Sequence, residues 1–266
     1  VDKLRLTLQQ KESVVVDFSL EGKIAVITGA SRGIGKAMAM AFAEHGARCI
    51  LVSRKLEAVL SVADEIRDKG FEAEAFACHM GYQEQIQDLF KKLEERYGRV
   101  DILVNNAATN PHFGNMLDAD QGMWDKIIDV NLKGPFFMIK QAAPLMIKAG
   151  GGAILNVASI NAKRPGLMQG VYSVSKAALV SMTEVFAKEL APFKVRVNAL
   201  LPGLTDTNFA SALINNKDIH DFVVKQIPMG RHAEPSEMAG AALYLVSDAS
   251  SYTTGTCLAC DGGILI

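Results

Sequence analysis

The sequence predicts an α/β fold built on a doubly wound parallel sheet, and three observations predict it. Short β-branched runs alternate with longer helical periods from Lys23 to about Ala199. Those runs are almost wholly apolar, as strands buried on both faces are. The first of them leads through a glycine-rich turn into a helix, the opening unit of such a sheet. Right-handed crossovers follow from the alternation.

The first strand is expected at residues 23–28. Its helix carries Ile34, Ala37, Met38, Ala41 and Phe42 at helical spacing and ends at Gly46. Strand two spans 48–52, and helix two presents Leu56, Val59, Leu60, Ala63 and Ile66 before Gly70. Residues 72–78 are extended, followed by a helix with Ile86, Leu89, Phe90, Leu93 and Tyr97 on one face. Strands four, five and six fall at 102–104, 153–157 and 195–199. Between four and five lies a helix whose inner face is Trp124, Ile127 and Ile128. No linker, repeat or low-complexity stretch divides the chain, so residues 21–266 read as one domain after an extension at 1–20. The segment 204–226 interrupts the alternation after strand six. Loops at the carboxyl ends of such sheets line the ligand crevice, and this one reads as a substrate lid.

Composition narrows the function. The 28 basic and 29 acidic residues leave a net charge of −1, no footprint for nucleic acid or an anionic membrane. No apolar run is long enough to span a bilayer, and no apolar leader opens the chain. Four cysteines are too few and too scattered for a disulfide framework, which suggests a reducing, cytoplasmic setting. Cys257 and Cys260 form a C-x-x-C, but within a strand they point to opposite faces about 10 Å apart and read as buried thiols. His112, His220 and His232 lack ligand spacing and read as surface or loop residues, so no metal site is expected.

The turn Thr28-Gly29-Ala30-Ser31-Arg32-Gly33-Ile34-Gly35 suits a pyrophosphate. Glycines 29, 33 and 35 let the backbone approach without a Cβ, and the helix N-terminus offers free N–H groups. About 20 residues on, the chain reads Val52-Ser53-Arg54-Lys55. An acid there would select the 2′-hydroxyl of NAD; a basic residue accommodates the 2′-phosphate of NADP. Arg54 and, from the glycine turn, Arg32 therefore point to NADP(H). Charged hydrogen bonds worth about 1.5–3 kcal/mol each make this a preference of about tenfold or more.

Tyr172 and Lys176, four apart, share one helix face. A free phenol, with a pKa near 10, is a poor neutral-pH catalyst. An ammonium about 4 Å away, at an effective dielectric of about 20, is worth roughly 4 kcal/mol, or about three pKa units of lowering. Ser159 closes strand five at the sheet's carboxyl edge, where a hydroxyl can hold a carbonyl oxygen beside the tyrosine. Pro135 lacks an N–H, so the Asn131 carbonyl loses its helical partner and can hold a water leading to Lys176.

With Asn105-Asn106-Ala107, Pro202-Gly203 and Asp261-Gly262-Gly263, these motifs occur in an order that resembles the short-chain dehydrogenase/reductase family over roughly residues 20–264. The resemblance implies a Rossmann-fold, nicotinamide-dependent alcohol–carbonyl oxidoreductase, usually a homotetramer. It implies an Asn131, Ser159, Tyr172 and Lys176 tetrad in which Tyr172 donates the proton, Ser159 orients the carbonyl and Asn131 holds the relay water. Lys176 would also bind the nicotinamide ribose, Asn106 would lie over the cofactor, and Thr205 after Pro202-Gly203 near the carboxamide. Within the family, Val52-Ser53-Arg54-Lys55, Cys78-His79 and Asn106-Ala107-Ala108-Thr109-Asn110-Pro111 are similar to NADPH-dependent carbonyl and retinal reductases of peroxisomes. This chain ends Gly263-Ile264-Leu265-Ile266 instead of in a Ser-Lys-Leu-like address, so that location is not carried over. His79 stands where many members have aspartate at the adenine pocket.

The expected substrate is a small ketone or aldehyde. Met168, Leu204, Phe209, Leu213 and Ile214 supply an apolar pocket rim. Two rivals remain: reduction of 3-oxoacyl thioesters on the same tetrad, and a non-catalytic NADP(H)-binding protein that keeps the fold.

Overall fold

A computed structural model describes residues 16–210, 214 and 216–266. Among the described residues one sheet has seven strands in the order β3-β2-β1-β4-β5-β6-β7, with every pairing parallel. The strands are β1 (Ile24–Thr28), β2 (Arg48–Ser53), β3 (Ala73–Ala77), β4 (Ile102–Asn105), β5 (Gly152–Val157), β6 (Val195–Pro202) and β7 (Cys257–Cys260). Helices α1 (Gly33–Glu44), α2 (Leu56–Asp68), α3 (Gln83–Tyr97), α4 (Gln121–Ile128), α5 (Gly134–Lys148), α6 (Gly170–Leu190), α7 (Lys217–Val224) and α8 (Ala239–Val246) surround it. One core layer joins Phe42, Met38 and Ile66 to Leu51, Ile27 and Leu155. The other joins Phe90, Leu93 and Met138 to Val26, Leu103 and Val197. The doubly wound expectation holds, because central strands with apolar residues on both faces need a helical layer on each side.

Several local expectations are corrected. Edge strand β3 and edge strand β7 are only partly buried, since no strand among the described residues pairs with their outer sides; Cys257 and Cys260 are half-buried free thiols instead of core ones. Leu56 and Leu60 of α2 are exposed, and Val62 takes the inward place beside Val59 and Ile66. In α1 the inward stripe is Met38, Ala39, Phe42 and Ala43, with Ile34, Ala37 and Ala41 at its margin. Trp124 is partly exposed, and only Ile127 of the expected α4 face is fully buried. A 3.6-residue repeat fixes the centre of a stripe well and its edges poorly.

Strand order reverses between β1 and β4, so the first crossovers run to opposite edges from that gap. The carboxyl ends of β1, β4, β5 and β6 consequently open on one crevice. With strands about 4.8 Å apart, the ends of β1 and β5 lie about 10 Å from one another across β4.

Candidate active site

The first half of the crevice is the turn after β1. Gly29 and Gly33 adopt left-handed φ values of +66° and +58°, which admit glycine without strain. A Cβ on Gly35 would stand 2.4 Å from the Gly29 carbonyl oxygen and 2.5 Å from Asn106 Nδ2. Thr28 Oγ1 donates to the Val104 carbonyl at 3.1 Å and accepts from the Asn106 and Ala107 amides at 2.9 and 3.0 Å. Asn106 Nδ2 donates to the carbonyls of Thr28 (2.9 Å) and Gly29 (3.2 Å). The Asn106 amide therefore braces the turn from the β4 side, and Thr28, which the sequence marked only as the start of the glycine turn, is the tie between the two strands. Ser31 and Ile34 are partly buried in the same turn, Ile34 against the α1 core layer. Gly35→Ala is expected to distort this braced turn and lower NADPH affinity at least about tenfold. Fluorescence titration of the folded variant checks this; unchanged affinity would refute the turn's role.

Arg32 caps α1 with extended backbone and an exposed side chain, and Arg54 is exposed just beyond β2. Ser53 Oγ donates to the Lys55 carbonyl at 2.9 Å, which shapes that bend. His79, after β3, is held neutral to lower pH than usual, first by burial and then by the charge of Arg54. Its Nδ1 accepts from the Gly81 amide at 3.0 Å, and its ring packs 4.6 Å from Tyr82. His79 and Arg54 thus share the outer end of the crevice, which fits an adenine ring beside a phosphate-binding cation.

The second half lies at the ends of β5 and β6. Ser159 caps a short 3₁₀ turn and accepts from the Asn161 amide at 3.1 Å. Tyr172, in the first turn of α6, is 7% exposed, and Lys176 one turn on is 2% exposed. Lys176 Nζ donates to the Val157 carbonyl at 2.8 Å and lies 5.6 Å from the Tyr172 ring centroid. The expected lowering of the phenol by its lysine is corrected. Burial pushes Tyr172 up to about 12, against a smaller opposite pull from its hydrogen bond with Ser159. Burial also pushes Lys176 down to about 7, so desolvation sets the direction of both shifts.

Asn131 is fully buried. Its Oδ1 accepts from the Thr109 amide at 2.8 Å, and its Nδ2 donates to the Thr109 carbonyl at 3.0 Å and to Ser175 Oγ at 3.1 Å. The break expected at Pro135 takes the form of a π turn, Asp129–Lys133, in which the Gly134 amide reaches back to Asp129. Asn131 is thereby fastened to the β4 loop and to the helix carrying Tyr172. Ser175 and Thr109 were missed, since a serine inside a helix and a threonine in a loop carry no spacing signal.

Pro202 ends β6, and the Gly203 amide donates to the Cys260 carbonyl at 2.9 Å. A Cβ on Gly203 would meet Asp261 Cα at 2.7 Å, which accounts for the glycine. Thr205 is buried, its hydroxyl donating to the Gly203 carbonyl at 3.1 Å.

The expected rim is partly revised. Leu204 is buried with Ile227 and Ile264, Ile214 packs against that cluster, and Leu213 lies outside the described residues. Met168 and Phe209 remain half exposed, Phe209 with its ring 5.4 Å from that of Tyr172. A facing wall comes from the loop 113–116: the Gly114 amide donates to the Met168 carbonyl at 2.9 Å, and Phe113 and Met116 are exposed beside it.

Comparison with known proteins places this geometry. A family model described as enoyl-(acyl carrier protein) reductase matches residues 29–265. Dehydrogenase/reductase SDR family member 4 of Sus scrofa is 40% identical over 92% of this chain and 88% of its own length. The 3-oxoacyl-[acyl-carrier-protein] reductase of Thermotoga maritima is 37% identical over 93% and 99%. A putative NAD(P)-dependent gluconate 5-dehydrogenase from Beutenbergia cavernae, solved with bound NADP, superposes with a TM-score of 0.90 at 37% identity, covering 93% of this chain and 98% of its own. A gluconate 5-dehydrogenase from Burkholderia cenocepacia, in complex with NADP and tartrate, superposes at 0.90 with 32% identity, covering 93% and 97%.

Proposed function

Because the chain belongs to the short-chain dehydrogenase/reductase family, we propose that it is an oxidoreductase moving a hydride between NADP(H) and an apolar ketone, aldehyde or secondary alcohol. The observation that carries this reading is a buried Tyr172 one helical turn from a buried Lys176, whose Nζ bonds to the end of β5 where the buried Ser159 follows, at the sheet edge that also holds the glycine turn. NADPH, when bound, would supply the hydride. The protein's own residues do the rest. Arg32 and Arg54 bind the 2′-phosphate, and Ser53 and the turn residues Gly29, Ser31, Gly33, Ile34 and Gly35 surround the pyrophosphate and adenosine. Asn106 fixes the turn, while Pro202, Gly203 and Thr205 border the nicotinamide end.

In the carbonyl-reducing direction the Tyr172 hydroxyl must begin protonated, which its burial favours. Ser159 orients the carbonyl oxygen toward it, and Lys176 recharges it by way of a water held at Asn131. Phe209 covers the phenol and keeps solvent from it, which is the lid role proposed for the segment 204–226. Phe209→Ala is expected to raise KM for bulky apolar ketones about three- to tenfold, since burying an aromatic face is worth on the order of 1 kcal/mol. Steady-state kinetics on a ketone series read the change; a uniform KM across the series would remove Phe209 from the pocket.

Reduction of 3-oxoacyl thioesters is the second reading, favoured by the likeness to the Thermotoga maritima reductase. NADPH oxidation with aromatic ketones, vicinal diketones and acetoacetyl thioesters separates the two. Silence across all three, with NADPH bound, would favour a cofactor-binding protein without turnover. Four cysteines that are all free suit a reducing compartment such as the cytoplasm. Among the described residues no helix is long and apolar enough to cross a membrane. Exposed Trp124, Phe136 and Val185 on α4, α5 and α6 suit a homotetramer built on those helices.

A further inference from the structure

Beside the crevice the fold gathers ligand-type side chains that the sequence scatters. An isolated parallel bridge pairs Thr205 with Ala233, and the Asp206 amide donates to the Ala233 carbonyl at 2.8 Å. This bridge brings Asp206, His232 and Glu234 together, each offering a ligand atom within 4.8 Å of the others. His220, from α7, reaches the same place: its Nε2 stands 3.0 Å from His232 Nδ1, with the two rings 5.3 Å apart. Asp221 Oδ1 lies 3.5 Å from the other nitrogen of His220. His232 lies in a loop, as expected, but His220 sits on α7 and the two rings meet, which their spacing in sequence did not show.

A 3.0 Å contact between two imidazole nitrogens requires one to carry the proton and the other to accept it. Asp221 favours the proton of His220 on Nδ1, which leaves its Nε2 to accept from His232 Nδ1–H. His232 Nε2 then keeps its lone pair, the tautomer that a metal ion takes. A carboxylate–histidine chain behind a ligand histidine is the usual outer support of a metal site. We infer that Asp206, His232 and Glu234 bind a divalent transition-metal ion of the zinc type, with His220 as the positioning residue behind His232.

One imidazole and two carboxylates suit zinc or cobalt better than magnesium or calcium, which take oxygen ligands alone. Two carboxylates balance the ion's charge. The neighbouring cation, Arg231, is turned away by two 2.7 Å bonds to Glu237. Tetrahedral zinc ligands lie about 3.3 Å apart, so Asp206 and Glu234, both exposed, would rotate inward, Glu234 leaving its capping-box contact with the 235–238 turn. The ion would join the exit of β6 to the segment after Gly230, with α7 packed behind it through His220.

Titration of the untagged full chain with Co²⁺ tests this. One equivalent is expected to give a visible d–d absorption band, to be displaced by Zn²⁺, and to raise the Tm. His232→Gln should remove both signals. His220→Gln should keep the band but weaken affinity about 10- to 100-fold. His112→Gln, in a loop elsewhere, should change neither. If His232→Gln fails to fold, the double variant Asp206→Asn with Glu234→Gln reads the same loss. Absence of saturable Co²⁺ binding, or binding that survives His232→Gln or the double variant undiminished, overturns the site.

Discussion

Tyr172→Phe is expected to lower kcat for NADPH-dependent carbonyl reduction about 10²- to 10⁴-fold, the range that a positioned acid contributes. NADPH affinity should move far less, because the ring stays against Phe209 and only one hydroxyl leaves a site already packed around it. The pH dependence separates a proton donor from a merely structural tyrosine. Burial pushes the hydroxyl up to about 12, so the protonated form needed for reduction persists through neutral and alkaline pH. Oxidation of the alcohol needs the deprotonated form, and its rate in the unmodified enzyme should climb as pH rises toward that value. The climb should vanish in Tyr172→Phe. Stopped-flow single turnovers in both directions read the effect on the chemical step. Turnover within a few fold of the unmodified enzyme, or an oxidation profile of unchanged shape, would remove Tyr172 from the chemistry.

The sheet was legible because its signal is periodic and redundant. Ile24 to Ile27, Cys49 to Val52 and Ile102 to Val104 are apolar on both faces, and only a central parallel strand requires that. The site was legible where one backbone constraint dictates one residue type: Gly29 and Gly33 for their left-handed turns, Gly35 for contact with the Gly29 carbonyl. What escaped depends on distance across the fold. Thr28 bonds to the end of β4, Ser175 to Asn131, and His220 to His232, and no local spacing marks any of these pairs. The sign of the Tyr172 shift escaped for a related reason. Its spacing to Lys176 can be read from a helix, but the burial that sets the shift depends on what the rest of the fold packs around the phenol, Phe209 included.

Arg54→Asp is expected to shift the ratio of kcat/KM for NADPH over NADH toward NADH by about 100-fold or more. Two effects act in the same direction. The substitution removes a charged hydrogen bond to the 2′-phosphate, worth about 1.5–3 kcal/mol, or roughly ten- to a hundredfold. It also places a carboxylate where it repels that phosphate and accepts hydrogen bonds from a free ribose hydroxyl, the arrangement that selects NAD. Arg32, across the glycine turn, remains and should keep NADPH binding measurable, so Arg32→Ala combined with Arg54→Asp should complete the reversal. Losing Arg54 also removes one of the causes that hold His79 neutral, and the imidazole should therefore gain its proton at a higher pH than before. Its NMR titration supplies a readout independent of turnover. A His79 midpoint that moves while the cofactor ratio does not would show that Arg54 lies at this end of the crevice without contacting the phosphate. Movement of both together would make β2 the element that sets cofactor choice.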